Sequence, residues 1–147
     1  THKIKFDLIT AFHVFEHLKN PISEIKKLNY LLKNDGKIII EVPNSDDALI
    51  SLYKSKAFKK FTYWSQHLFL YNETTIKSLV EKADMKVNYI KQIQRYPISN
   101  HLYWLSKKKP GGHMKWNFFG EKFNAEYVEI LKKNKICDTI SVCISKN

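Results

Sequence analysis

Two apolar runs separated by an amphipathic stretch constrain this chain more than any other feature in it. Residues 4–12 are near-continuously apolar after Asp7 (Leu8-Ile9-Thr10-Ala11-Phe12), and residues 37–42 carry Ile38-Ile39-Ile40. Runs without the alternation of a half-solvated strand belong to parallel sheets covered on both faces. Between them, Asn20-Pro21 offers an N-cap and a proline at the first helical position. Ile22, Ile25, Leu28, Leu31 and Leu32 then recur at helical spacing. Asn34-Asp35-Gly36 offers a stop, with Gly36 able to take the left-handed conformation. Strand, helix and strand predict a right-handed βαβ unit with two parallel strands. The first run ends in His13-Val14-Phe15-Glu16-His17, two histidines and a glutamate within five residues. Open α/β sheets build their sites at such strand ends.

The rest of the chain continues the alternation. Ser45-Asp46-Asp47 caps a predicted helix over residues 48–56. Residues 59–70 are less regular and aromatic, with His67 among them, and Asn72 opens a helix that runs to Lys82. A strand follows over 85–93, then a long segment without a clean period over 94–120. Long irregular segments in compact domains are usually functional lids or disordered, and this one, rich in aromatics, is expected to be a substrate-side lid or insertion. A last helix is predicted over 123–135 and a last strand over 139–145.

A chain of 147 residues with 44% hydrophobic residues suits one domain with a real core. Lysine and arginine number 25 against 14 acids, a net charge of +11 that favours anionic partners. Only Arg95 is arginine, and specific nucleic-acid readers lean on arginine for bidentate contacts, which argues against nucleic acid. No apolar run approaches the roughly 18 to 20 residues of a membrane span, and the first five residues lack a signal-peptide pattern. A cytoplasmic protein without a membrane partner is therefore expected, with Cys137 and Cys143 as free thiols.

Taken in order, several motifs resemble one known family. They are Phe6-Asp7-Leu8-Ile9, Val14-Phe15-Glu16-His17-Leu18, Pro21, Leu31-Leu32-Lys33, Gly36-Lys37 and Glu41-Val42-Pro43-Asn44. The resemblance is to class I S-adenosylmethionine-dependent methyltransferases. The branch is the one with a Glu-His pair after the fourth strand, which includes ubiquinone-pathway O-methyltransferases and sugar and polysaccharide methyltransferases. His67-Leu68-Phe69-Leu70-Tyr71 and Leu79-Val80-Glu81-Lys82-Ala83 extend it. The family's Ala-Gly-Phe turn is here Ala83-Asp84-Met85, and aspartate is among the few residues that tolerate a left-handed turn.

This resemblance covers residues 6–93 well and the last strand weakly. It implies an α/β fold: the C-terminal half of a Rossmann-like seven-stranded methyltransferase sheet, strands 4-5-7-6, the last antiparallel, with flanking helices. The family cradles S-adenosylmethionine on a glycine-rich loop after its first strand. Here Gly36, Gly111, Gly112 and Gly120 are the only glycines, and none follows an N-terminal strand. Residues 1–147 are therefore expected to form one C-terminal half-domain that lacks the main cofactor loop and is inactive alone. Its first strand, Phe6–Phe12, would present a bare edge open to self-association.

By the same resemblance, Phe12 and His13 face the methionine part of the cofactor. His17 is the first choice for a base that takes the acceptor's proton, and histidine suits that role because its ordinary pKa lies near neutrality. Glu16 would orient His17 or bind substrate, and His67 would join them. Arg95, Tyr96, His101, Tyr103 and Trp104 would form the substrate wall, aromatic faces stacking on the acceptor and Arg95 pairing with a phosphate. Structural roles stay open for each: a capping pair for Glu16 and His17, core packing for His67 and the aromatics. His13-x-x-Glu16-His17 also matches the signature of inverted zinc peptidases, but that motif needs one helix, and here a strand ends at His13 while the helix begins at Pro21. No metal is assigned. The expected function is part of a methyltransferase acting on a small hydroxylated, sugar-like or phosphorylated acceptor. The alternatives are a nucleic-acid methyltransferase, or a non-catalytic binding or assembly domain.

Overall fold

The computed structural model describes residues 4–116 and 118–147. In chain order the elements are β1 (Phe6–Phe12), a 3-10 turn (Phe15–His17), α1 (Pro21–Leu31), β2 (Leu32–Pro43), α2 (Ala48–Ser51) and α3 (Lys56–Thr62). They continue with α4 (Glu73–Lys82), β3 (Met85–Ile93), α5 (Ile98–Lys107), α6 (Gly112–Lys115), α7 (Glu121–Lys133) and β4 (Thr139–Lys146). The chain divides into two compact units, one of Thr1–Pro43, Leu68–Lys91 and Ile140–Asn147, the other of Asn44–His67 and Gln92–Thr139.

The sheet has four strands among the described residues, in the order β1-β2-β4-β3. That is the expected 4-5-7-6. β1 and β2 are parallel, so the strand–helix–strand pattern does form the predicted unit. Its core is aliphatic: Ile25 of α1, Ile38, Ile40 and Val42 of β2, Ile76 and Val80 of α4, and Ile140, Val142 and Ile144 of β4 are all fully buried.

Burial separates the strands. β4 is buried from Thr139 to Ile144, as an interior strand should be. β1 is not covered on both faces as its composition predicts. Phe6, Leu8 and Phe12 are about half exposed, and only Ile9 and Ala11 pack against the core. The reason is its place at the end of the strand order, with one hydrogen-bonding side unpaired among the described residues.

α1 also ends earlier than its spacing predicts. Leu32 is already extended, and Asn34-Asp35-Gly36 lies within β2 rather than closing the helix. The register jumps there from Phe6↔Leu32 to Leu8↔Lys37, and Lys33 Nζ reaches both carboxylate oxygens of Asp7 at 2.9 Å across the irregularity. Gly36 is needed for space instead of for its dihedral freedom: a Cβ there would meet Leu32 Cδ1 at 2.8 Å and the Phe6 carbonyl at 3.0 Å. α4 starts as predicted, with Asn72 and Thr75 forming a reciprocal capping box. Asp84 takes the left-handed conformation (φ 59°) expected of the turn before β3.

The second unit holds what the sequence pattern hides. α2 stops at Ser51, and α3 occupies part of the stretch read as irregular. The segment 94–120 contains a full helix, α5, whose buried face is Ser99, Asn100, His101, Tyr103 and Trp104. Ile98, Leu102 and Leu105 do recur at helical spacing, but the residues buried are their neighbours, polar Ser99, Asn100 and His101 with Tyr103 and Trp104, so hydrophobic spacing does not mark this inward face. Gly112 of α6 sits against α5 so closely that a Cβ would fall on the Ser99 carbonyl and Tyr103 Cβ.

Buried Asn44 organises the start of this unit. Its side chain donates to the Cys137 carbonyl at 2.8 Å and accepts from the Asp46 N–H at 3.0 Å, while its own N–H donates to the Asp138 carbonyl at 2.9 Å. Replacing Asn44 with alanine is expected to destabilise the protein by about 1–3 kcal/mol, because buried partners lose their bonds. Urea unfolding of Asn44→Ala against wild type checks this.

Candidate active site

The candidate site lies where β1 ends. Phe12 pairs with Glu41 in the parallel register, and the next residue, His13, donates its backbone N–H to the Glu41 carbonyl at 2.8 Å. His13 is left-handed (φ 53°), a conformation uncommon for a residue other than glycine and costly to hold. The turn lets the chain reverse within three residues into the 3-10 turn, which buries Phe15 and Glu16. The Glu16 carbonyl then accepts from the backbone of Leu68 and Phe69 at 2.8 and 3.2 Å, fixing the turn to the segment before α4.

Around this backbone the ionisable side chains form a chain. Glu16, 1% exposed, places Oε1 at 3.3 Å from His13 Nδ1 and 3.8 Å from His17 Nε2. His13 Nε2 lies 3.5 Å from Glu41 Oε1. Glu16 Oε2 has no hydrogen-bond partner among the described residues. A buried carboxylate oxygen without a partner is expensive, and such atoms point to a ligand or a catalytic role. Buried Tyr71 stands beside this group, its hydroxyl 3.5 Å from the Phe15 carbonyl. Burial, helped by the Glu16 charge, pushes the Tyr71 phenol up to about 12. His13 and His17 are about one-third exposed, so the arrangement is an acid held inside with two imidazoles at the surface. It can position an imidazole, accept a hydrogen bond from a donor at Oε2, and relay a proton.

His13, Glu16 and His17 are thus brought together, and Phe12 adjoins them, half exposed. Two participants, Glu41 and Tyr71, were not singled out from the sequence. Aligning the two apolar runs would have found Glu41, since parallel pairing puts it opposite the end of β1. Tyr71 closes the His67-to-Tyr71 motif already quoted.

The remaining predicted residues belong to the second unit. His67 Nδ1 lies 2.8 Å from the Thr62 carbonyl, its ring edge-on to Trp64. Arg95 and Tyr96 are exposed, and their backbone N–H groups donate to the Asp138 carboxylate at 3.0–3.1 Å. His101, Tyr103 and Trp104 are buried. Trp104 meets Phe58 edge-on, and His101 Nδ1 sits 2.7 Å from the Tyr127 hydroxyl, which in turn lies 2.9 Å from the Tyr53 hydroxyl.

Burial lowers His101 to about 4 from an ordinary 6.5. The unfolded chain therefore takes up a proton that the folded chain refuses, and stability is lost as the pH falls from about 6.5 to about 4. Buried Asp47, pushed up to about 7, acts oppositely and withdraws stability as the pH rises from about 3.8 toward 7. Comparing variants separates the two. In His101→Gln the acid-side loss should disappear, so its stability deficit relative to wild type shrinks between pH 7 and pH 4 in urea titrations.

Known proteins share this fold. Solved structures that superpose on the chain include a SAM-dependent methyltransferase from Thermotoga maritima (TM-score 0.56, 17% identity, 100% of this chain and 60% of that one). Another is the plantazolicin methyltransferase BamL in complex with a triazolic desmethylPZN analog and SAH (0.53, 17%, 98% and 54%). A third is a Haemonchus contortus phosphoethanolamine N-methyltransferase (0.52, 16%, 96% and 33%). At these identities the likeness shows the fold, a partial Rossmann-like one. The chain spans between 33% and 60% of the length of these three relatives. None of the curated proteins matches it in sequence.

The family follows from the sequence itself. A family model described as a methyltransferase domain matches residues 2–90, more than half of the chain. The chain belongs to the methyltransferase-domain family.

Proposed function

We propose that the protein is an S-adenosylmethionine-dependent methyltransferase of the Glu-His branch, acting on a small hydroxylated, sugar-like or phosphorylated acceptor. The family match supports the reaction class, and the BamL structure was solved with SAH, the product that S-adenosylmethionine becomes. The observation that carries the site reading is Glu16: buried, with one oxygen shared between two histidines and the other unpaired. That unpaired oxygen fits a hydroxyl or ammonium donor brought by a ligand.

S-adenosylmethionine, when bound, supplies a methyl group on a positively charged sulfur. Phe12 and His13 would hold its methionine part. Glu16 keeps the His17 ring in one orientation, and His17 takes the proton from the acceptor's hydroxyl as the oxygen becomes a nucleophile. Glu41 and the left-handed turn keep His13 beside Glu16. On the second unit, Arg95 and Tyr96 are the exposed candidates for an acceptor's phosphate or ring, and His67 is a further proposed catalytic group. His101, Tyr103 and Trp104, being buried, would act by holding that surface in shape.

Among the described residues no helix is long and apolar enough to cross a membrane. A half-exposed β1 edge supports the proposal that a second chain pairs there. Static light scattering of the chain is expected to show mass rising with concentration; a monomer at every concentration would remove this part of the reading.

Activity and binding test the rest. With the whole protein, His17→Ala should lower turnover by about 10²–10⁴-fold while S-adenosylmethionine affinity holds, the range expected for losing a general base. Unchanged turnover would reject His17 as the base. Calorimetric titration of residues 1–147 alone with S-adenosylmethionine is expected to give no measurable heat, since no glycine-rich loop follows a strand in it; micromolar affinity would overturn that expectation.

A further inference from the structure

From residue 85 to residue 120 the sequence contains no aspartate or glutamate, while it carries Lys107-Lys108-Lys109 and Lys115. In the second unit this run forms α5 and α6, and beside it an aromatic ladder leads from the interior outward. Ring centroids are 5.1 Å apart for Tyr103 and Trp116, 6.3 Å for Trp116 and Phe118, 4.6 Å for Phe118 and Phe119, and 5.5 Å for Phe119 and Phe123. Its inner end, Tyr103, is buried; its outer members Phe118 and Phe123 are 69% and 51% exposed, and Met114 is 72% exposed. Scattered exposed apolar side chains need no explanation, but a connected strip of them marks an interaction surface. Lysines adjoin the inner end of the ladder: Lys107 lies one helical turn from Tyr103 on α5, and Lys115 Nζ stands 5.8 Å from the Tyr103 ring.

Against the expectation of no membrane partner drawn from the absence of a spanning run, we propose that this strip is a peripheral docking surface for an anionic lipid bilayer. Phenyl and thioether groups of this length enter the boundary between headgroups and acyl chains, while flanking lysines stay at the level of the lipid phosphates. Charge complementarity selects an anionic occupant. The single arginine of the chain then argues for lipid over single-stranded nucleic acid. The inference stands apart from the reaction: it concerns where the protein sits, and the Glu16 cluster contributes nothing to it.

Co-sedimentation of the chain with vesicles tests it. Vesicles of phosphatidylcholine containing about one-third phosphatidylserine should retain the protein, and pure phosphatidylcholine vesicles should not, with retention falling as salt rises. Phe118→Asp with Phe123→Asp should weaken retention by about tenfold or more, since two apolar anchors are lost and two like charges gained. Should that pair of changes lower the melting temperature, Lys107→Glu with Lys108→Glu and Lys109→Glu, all at exposed positions, should give the same loss. Lys77→Gln on α4 should leave retention unchanged. No retention by anionic vesicles, equal retention by neutral ones, or retention indifferent to these changes would overturn the proposal. So would binding of a single-stranded RNA oligomer that the same variants abolish while vesicles fail to bind.

Discussion

The parallel pairing of β1 with β2 is the constraint on which the candidate site depends. It sets the end of one strand beside the end of the other, so that the His13 N–H reaches the Glu41 carbonyl and the two side chains meet as well. A shift of one residue in this register would turn every side chain of β1 to the opposite face. The irregularity near Gly36 therefore lies at the far end of the pair, where the register jumps before Leu8 and remains regular through Phe12. Disorder in the ladder is tolerated where nothing chemical is built and absent where Glu16 must be presented.

Legibility in the sequence followed the type of interaction that holds each part. The aliphatic core of the first unit was legible because Ile, Val and Leu at the periods of strand and helix leave a direct trace. The cap at Asn72 and the left-handed Asp84 were legible because short polar side chains are used there for local reasons. α5 was not, since the residues it buries are Ser99, Asn100, His101, Tyr103 and Trp104, held by specific hydrogen bonds and ring contacts, while the apolar Ile98, Leu102 and Leu105 at helical spacing stay partly or largely exposed. The site was half legible: Glu16, His13 and His17 are neighbours in sequence, whereas Glu41 and Tyr71 arrive through strand pairing and packing. Exposure of β1 could not be read from composition, because an edge strand and an interior strand of a parallel sheet can share the same residues.

The two units also differ in how they hold charge. The first keeps a buried carboxylate, Glu16, within reach of two imidazoles. The second buries His101 and Asp47 without a counter-charge among the described residues, so both sit in their neutral forms over a wider pH range than usual. Burial likewise pushes the Cys137 thiol up to about 12, leaving it protonated and unreactive near neutrality. Nucleophilic chemistry on the second unit has no activated thiol to draw on.

Left-handed backbone is distributed unusually in this chain. His13, Lys54, Asp84, Lys108 and Lys135 all have positive φ, while among the glycines only Gly111 does. Each such position strains the folded state slightly, yet a side chain in place of glycine also narrows the conformations open to the unfolded chain. Turns made this way are therefore stiffer in the denatured ensemble than glycine turns would be. The reversals at the ends of β1, α4, α5 and α7 start their search for the native fold from fewer alternatives, an advantage in entropy that no contact in the folded molecule records.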